Sequence, residues 1–161
     1  MMKLNVVLLG AHIDSSNLGC QALTYSLINI LEDISTQNGM AFDYYIFEYQ
    51  PNEEKTKNFI DKLGITNNKL YSYKFPFVVT LKNKVKNIFS ILKFFEVLDK
   101  ADIAIDVTAG DSFADIYGDD RFLATTKIKE IVEKRGIPLL LAPKHMDPSA
   151  KRKMKNLQRK L

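Results

Sequence analysis

Residues 10 to 23 read Gly-Ala-His-Ile-Asp-Ser-Ser-Asn-Leu-Gly-Cys-Gln-Ala-Leu, a run of small and turn-forming residues that opens an apolar-periodic stretch. Such a loop delivers the free N–H groups and the dipole of a helix start, which suit a phosphate or a carboxylate. It has neither the Gly-x-Gly-x-x-Gly spacing nor a Gly-Lys-Ser/Thr ending, so a dinucleotide fingerprint and a P-loop are disfavoured. Residues 106 to 120, Asp-Val-Thr-Ala-Gly-Asp-Ser-Phe-Ala-Asp-Ile-Tyr-Gly-Asp-Asp, place five carboxylates in fifteen positions. That density could serve a metal or sugar hydroxyls, but Asp is also the common residue of turns and helix starts, and the metal reading is the minor one. A third stretch, Pro143-Lys144-His145-Met146-Asp147-Pro148, offers Lys144 and His145 to an anion, although ordinary loops have the same composition. Cys20 at a helix start is either an acidic thiol or a small buried residue, and His12 either touches substrate or has a surface or capping role.

The hydropathy pattern says what positions these loops. Lys3 to Leu9 is an apolar run ended by Gly10, a strand buried on both faces. A helix over Gly19 to Ile34 follows, with Ala22, Leu23, Leu27, Ile30, Leu31 and Ile34 at helical spacing, Asn17 or Ser16 as cap and Gly39 beyond the end. Phe42 to Tyr49 is a second strand, Asn52 to Leu63 a second helix through Phe59, Ile60 and Leu63, and Lys69 to Tyr73 a short strand. From Thr80 to Leu98 a basic amphipathic helix is expected, its apolar face Leu81, Val85, Ile88, Phe89, Leu92, Phe95 and Leu98 lying on the sheet and its lysines in water. Ala101 to Val107 and Ile137 to Ala142 are strands, separated by a helix over Arg121 to Glu133 that uses Phe122, Ile128, Ile131 and Val132. The alternation predicts an α/β fold, a doubly wound and mostly parallel sheet with helices on both faces, in which ligands sit beyond the carboxyl ends of the strands. All three loops follow strands.

Composition bounds the function. With 161 residues, 46% hydrophobic, 26% charged, seven Gly and five Pro, the chain is one ordinary globular domain rather than a disordered or low-complexity one. The single Cys20 forms no internal disulfide, no signal-peptide pattern is present and no apolar run approaches the ~20 residues of a membrane span, so a cytoplasmic protein is expected. The net charge of +4 is unevenly spread. Residues 144–161 carry seven Lys or Arg and one Asp, while residues 1–143 carry 16 basic and 18 acidic residues. The basic tail has no aromatic residue from Ser149 onward, so nucleic-acid binding is disfavoured.

Asn17-Leu18-Gly19-Cys20-Gln21-Ala22-Leu23 and Gly110-Asp111-Ser112-Phe113-Ala114-Asp115-Ile116-Tyr117-Gly118 resemble two segments of the polysaccharide pyruvyl transferase family. These are Asn-x-Gly-(Asp or Cys)-x-Ala-(Leu or Ile) after the first strand and Gly-Gly-(Asp)-Ser-Phe-x-Asp-x-Tyr-Gly. The resemblance runs from residue 4 to about 148, with Ala109 in place of the first of two glycines. It implies transfer of pyruvate from phosphoenolpyruvate to a sugar or lipid-linked saccharide of a surface polysaccharide, as a ketal. It also implies two Rossmann-like halves similar to the GT-B glycosyltransferases, with no cofactor and no metal. Asn17, Gly19, Gly110, Asp111, Ser112 and Asp115 are then the substrate-binding residues, while the catalytic residues stay unassigned. Cytoplasmic work at the inner face of the membrane goes with it; the basic helix allows peripheral membrane contact, and a lobe without its mate would expose the apolar face between lobes, which predicts self-association.

Two lobes need roughly twice this length at ~100–200 residues per domain, so residues 1–143 read as the N-terminal lobe, inactive alone. Where the family has Pro-Gln-Thr-(Tyr or Ile)-Gly-Pro-Phe, this chain has Pro143-Lys144-His145-Met146-Asp147-Pro148-Ser149. Writing Lys144 to Ser149 as AAA CAT ATG GAC CCT TC and reading with one extra leading C gives Gln-Thr-Tyr-Gly-Pro-Phe. The expectation is a single-base deletion near Lys144, with 144–161 as out-of-frame sequence; genomic DNA lacking a second half downstream would overturn it. The alternatives are a GT-B glycosyltransferase fragment and a non-catalytic binding module whose basic helix around Lys82 to Lys93 docks a partner or anionic lipid.

Overall fold

The computed structural model describes residues 2–15, 17–76, 84–108 and 119–142. Five strands and four helices alternate: β1 Lys3–Leu9, α1 Leu18–Asn38, β2 Ala41–Glu48, α2 Glu53–Leu63, β3 Lys69–Lys74, α3 Lys84–Asp99, β4 Ile103–Asp106, α4 Asp119–Lys134 and β5 Leu139–Leu141. The strands form one sheet in the order β3-β2-β1-β4-β5, every pair parallel. Parallel neighbours require crossovers, and the helices supply them on both faces, as the alternation predicts.

The period of two in β1 divides the core. Val6 and Leu8 pack with Ile28 and Leu31 of α1 and Phe59 of α2; Val7 and Leu9 pack with Phe94, Val97 and Leu98 of α3 and Ile128 and Val132 of α4. Capping sets two helices between them. Asn17 caps α1 and Asn52 caps α2, each accepting backbone N–H bonds worth about 1 kcal/mol, and Gly39 and Gly64 close them in the left-handed conformation. On the α3 face, Tyr45, Tyr71 and Tyr73 stack, with Lys100 5.1 Å from the Tyr45 centroid and Lys93 5.0 Å from that of Tyr73. Burial pushes the Tyr45 phenol up to about 12. On the other face burial raises Tyr44 further, reinforced by the 2.6 Å bond its hydroxyl donates to Glu32.

Two expectations from periodicity are corrected. In α1 the buried stripe is Thr24, Ile28, Leu31 and Ser35, while Leu23, Ile30 and Ile34 are exposed and Leu27 only leans on the core. The rotation is decided by hydroxyls. Thr24 Oγ1 donates to the Cys20 carbonyl (3.0 Å) and accepts from His12 N (2.9 Å); Ser35 Oγ donates to the Met40 carbonyl (2.7 Å) and accepts from Asn68 Nδ2 (3.1 Å). Satisfied in this way, polar residues can occupy core positions. In α3 the sheet-facing residues are Ser90, Phe94, Val97 and Leu98, whereas Ile88, Phe89 and Leu92 point to solvent. Phe94 sets this rotation by meeting the Phe47 ring edge-on at 5.1 Å. The expected contributions of Leu81 and Phe122 lie outside the described residues, as does the side chain of Val85. No helix among the described residues is long and apolar enough to cross a membrane.

Candidate functional site

In the sheet order, β1 lies between β2 and β4, so the chain departs from β1 in one direction and later returns on its other side. This reversal opens a crevice beyond the carboxyl ends of β1 and β4, the ordinary ligand position of an open parallel sheet. The loops after these strands meet there. Gly10 has φ +70°, and a Cβ built on it would lie 2.5–2.8 Å from Oγ1, Cα and N of Thr108. Only a residue without a side chain fits between the two loops.

The loop after β1 is held from beneath by Glu48, a buried carboxylate at the end of β2. Its Oε1 accepts from the N–H groups of Ile13 (2.7 Å) and Asp14 (3.3 Å), and its Oε2 accepts from Ser72 Oγ (2.7 Å). Beyond it, Asn17 N–H donates to Ser15 Oγ, and Gln21 Nε2 donates to the Ser15 carbonyl. Asn17 Oδ1 accepts from Gly19 N (2.9 Å) and Cys20 N (3.4 Å). The side chain of Asn17 therefore holds two of the N–H groups that an anion would use, and its observed role is to start the helix.

The loop after β4 is held by Asp106. Buried at the end of that strand, it forms a 2.6 Å ion pair with Lys129 of α4 and accepts from the backbone N–H (2.9 Å) and hydroxyl of Thr108. Asp106 is thus an anchor, and the five-carboxylate cluster loses one member available for a ligand. Among the described residues no group of three His, Cys, Asp or Glu could hold a metal.

Beside the first loop a cavity of about 240 Å³ opens between α1 and α2, lined by Ile13, Asp14, Gln21, Tyr25, Lys55, Asn58, Phe59 and Lys62. Two of these lining residues, Lys55 and Asp14, form an ion pair. Two ammonium groups, two carboxamides, a carboxylate and a phenol form a lining that could bind an anion bearing hydroxyl or phosphate oxygens.

Of the substrate-binding residues expected from sequence, Asn17 and Gly19 come together at the α1 start, on the carboxyl side of the sheet. Gly110, Asp111, Ser112 and Asp115 lie outside the described residues, as do Lys144 and His145. The His12 backbone N–H is bound to Thr24, and Cys20 is half-buried. Sequence reasoning missed Glu48, Lys129 and the α2 lysines. Glu48 had a signal, an acid ending an otherwise apolar strand; Lys55 and Lys62 had none, because lysines on an exposed helix face are ordinary. No protein-family model, curated protein or solved structure matches the chain.

The Glu48 arrangement is testable. Glu48→Ala leaves the Ile13 N–H without its buried acceptor and should cost about 2–4 kcal/mol in urea unfolding, with faster amide exchange at Ile13 and Asp14. Glu48→Gln retains one carbonyl acceptor and should cost about half as much. An Ala variant within about 0.5 kcal/mol of the parent would show that Glu48 does not hold the loop.

Proposed function

We propose that this chain is the N-terminal lobe of a polysaccharide pyruvyl transferase-like protein, on a GT-B-like architecture. The enzyme moves pyruvate from phosphoenolpyruvate to a sugar of a surface polysaccharide. In that reaction the central carbon of phosphoenolpyruvate ends bonded to two sugar oxygens and phosphate leaves. Of the two hydroxyl protons lost, one equivalent is taken up by the methylene, which becomes the methyl of the ketal, and the other by the departing phosphate. The lobe's share is binding and orientation. On this reading it works in the cytoplasm, at the inner membrane face where a lipid-linked saccharide is met.

One observation carries the reading: the strand leading to the Asn17–Leu23 segment and the strand leading to the Gly110–Gly118 segment are neighbours, and their loops touch at Gly10 and Thr108. The two strands that precede these sequence segments, far apart in the chain, thus end side by side. The lysine- and amide-lined cavity beside the first of them adds groups suited to phosphate and carboxylate.

Ligand-dependent melting tests this reading. At about 100 times its dissociation constant a ligand adds about 2.7 kcal/mol, which for a chain of this size raises Tm by about 5–10 °C. Phosphoenolpyruvate should do so, and inorganic phosphate should do so more weakly. A shift with nucleotide-sugars alone would replace the proposal with a GT-B glycosyltransferase fragment, and no shift with either would leave a non-catalytic binding module.

A further inference from the structure

The cavity between α1 and α2 joins apolar surface to charged and amide groups, and the backbone behind its charges is fixed. Ile13 and Phe59 are buried, and the Tyr25 ring lies 4.5 Å from that of Phe59 between centroids, so part of the lining is hydrocarbon and aromatic. The rest is Asp14 and Gln21 on one side and Lys55, Asn58 and Lys62 on the other. Lys55, Asn58, Phe59 and Lys62 fall at i, i+3, i+4 and i+7, one face of α2. Glu48 accepts from Asp14 N, and Asn52 Oδ1 accepts from Lys55 N (3.0 Å). The charged ends are freer, since the side chains of Lys55 and Asp14 are 52% and 46% exposed. An exposed pair of this kind contributes little, so Lys55 can leave Asp14 for a stronger partner at small cost.

We propose that the cavity binds a phosphorylated monosaccharide, with its phosphate on Lys55 and Lys62, its hydroxyls on Asp14, Gln21 and Asn58, and its ring against Tyr25 and Phe59. Charge selects the phosphate. A phosphomonoester carries about −1.5 to −2 at pH 7, which matches two ammonium groups, whereas a carboxylate balances one. Once Lys55 has moved to the phosphate, Asp14 is released to accept hydroxyl hydrogens, with two carboxamides beside it to accept or donate. The aromatic surface calls for a ring face, which inorganic phosphate does not offer. At about 240 Å³ the space is smaller than the ~300–1,000 Å³ of sites for drug-sized ligands, so it suits one sugar ring rather than a nucleotide-sugar. Binding rests on the cavity alone; that the bound sugar serves as acceptor rests on the proposed function.

The experiment is calorimetric titration of the full chain with glucose 6-phosphate, glucose and inorganic phosphate. Glucose 6-phosphate should bind at least about tenfold tighter than either of the others, because only it uses both the ammonium groups and the ring surface. Lys55→Gln with Lys62→Gln should lose at least about tenfold in that affinity while the melting temperature of the free chain is unchanged. Asp14→Asn reads the exchange of partners. With Lys55 released and a nearby negative charge removed, inorganic phosphate should bind several-fold tighter, and glucose 6-phosphate should gain less because its hydroxyls meet a weaker acceptor. Equal affinity for glucose 6-phosphate and inorganic phosphate would overturn the proposal, as would parent-like binding by the double lysine variant. Phosphoenolpyruvate in the same titration keeps the two readings apart. A response to it with none to glucose 6-phosphate overturns the sugar-phosphate site alone, and the converse overturns pyruvyl transfer alone.

Discussion

Gly10→Ala should be among the most damaging single-methyl changes in this protein. Two effects add at this position. The backbone is left-handed, φ +70°, which costs an L side chain about 1–2 kcal/mol. The new Cβ would also fall 2.5–2.8 Å from Oγ1, Cα and N of Thr108, and overpacking of this kind costs about 1–3 kcal/mol more. The expected total is about 2–5 kcal/mol, set against the 5–15 kcal/mol that holds a typical domain folded. Gly64 separates the two terms, since it has φ +64° and nothing within 4 Å of a built Cβ. Gly64→Ala should therefore cost only the backbone part. Thr108→Ala in the Gly10→Ala background should recover little, because two of the three close atoms belong to the Thr108 backbone. Urea midpoints at constant slope read all three. Full rescue by Thr108→Ala would show that the loops can move apart and that their close approach is not imposed by the fold.

What sequence could and could not give divides along a physical line. Strands and caps are local, and they are legible. Lys3 to Leu9 is the observed β1 to the residue, and Asn17, Asn52, Gly39 and Gly64 sit at the helix ends where their backbone and side-chain chemistry belongs. The face each helix turns inward is a tertiary matter. In α1 the buried positions include Thr24 and Ser35, which an apolar-periodicity count discards because it cannot see the carbonyl and amide partners that satisfy their hydroxyls. In α3 the count favoured Ile88, Phe89 and Leu92, yet the wall of aromatic side chains on β2 and β3 accepts Phe94 instead and leaves those three in water. The candidate site shows the same division. The loop after β1 is readable as a helix start, but the carboxylate beneath it comes from Glu48, 34 residues beyond Asp14, and no local spacing announces that bond. Asp106 was read as one more carboxylate in a cluster; its partner Lys129 lies nearly three turns into α4, and only the fold brings them together.

That pair carries the second large expectation. Asp106→Ala removes three contacts at once: the ion pair to Lys129 and the two bonds accepted from Thr108. It leaves the Lys129 ammonium, 88% buried by its side-chain exposure of 12%, without the pair's carboxylate. Loss of one partner of a buried pair costs about 3–5 kcal/mol, and the Ala variant should fall in that range. Lys129→Met is the milder change, about 2–3 kcal/mol, because Asp106 keeps its Thr108 bonds. Combining Asp106→Asn with Lys129→Met removes both charges, retains a carbonyl acceptor for Thr108 N and fills the site with a side chain of similar length. It should be more stable than the sum of the Asp106→Asn and Lys129→Met single changes predicts by about 2 kcal/mol, the coupling a double-mutant cycle of these two substitutions reads. Added salt should alter these differences little, since a pair this far from solvent is poorly screened. Additive single effects would mean that each group is satisfied independently. The loop after β4 would then have lost the anchor that ties it to α4, and with it the reason for Thr108 to stand so close to Gly10.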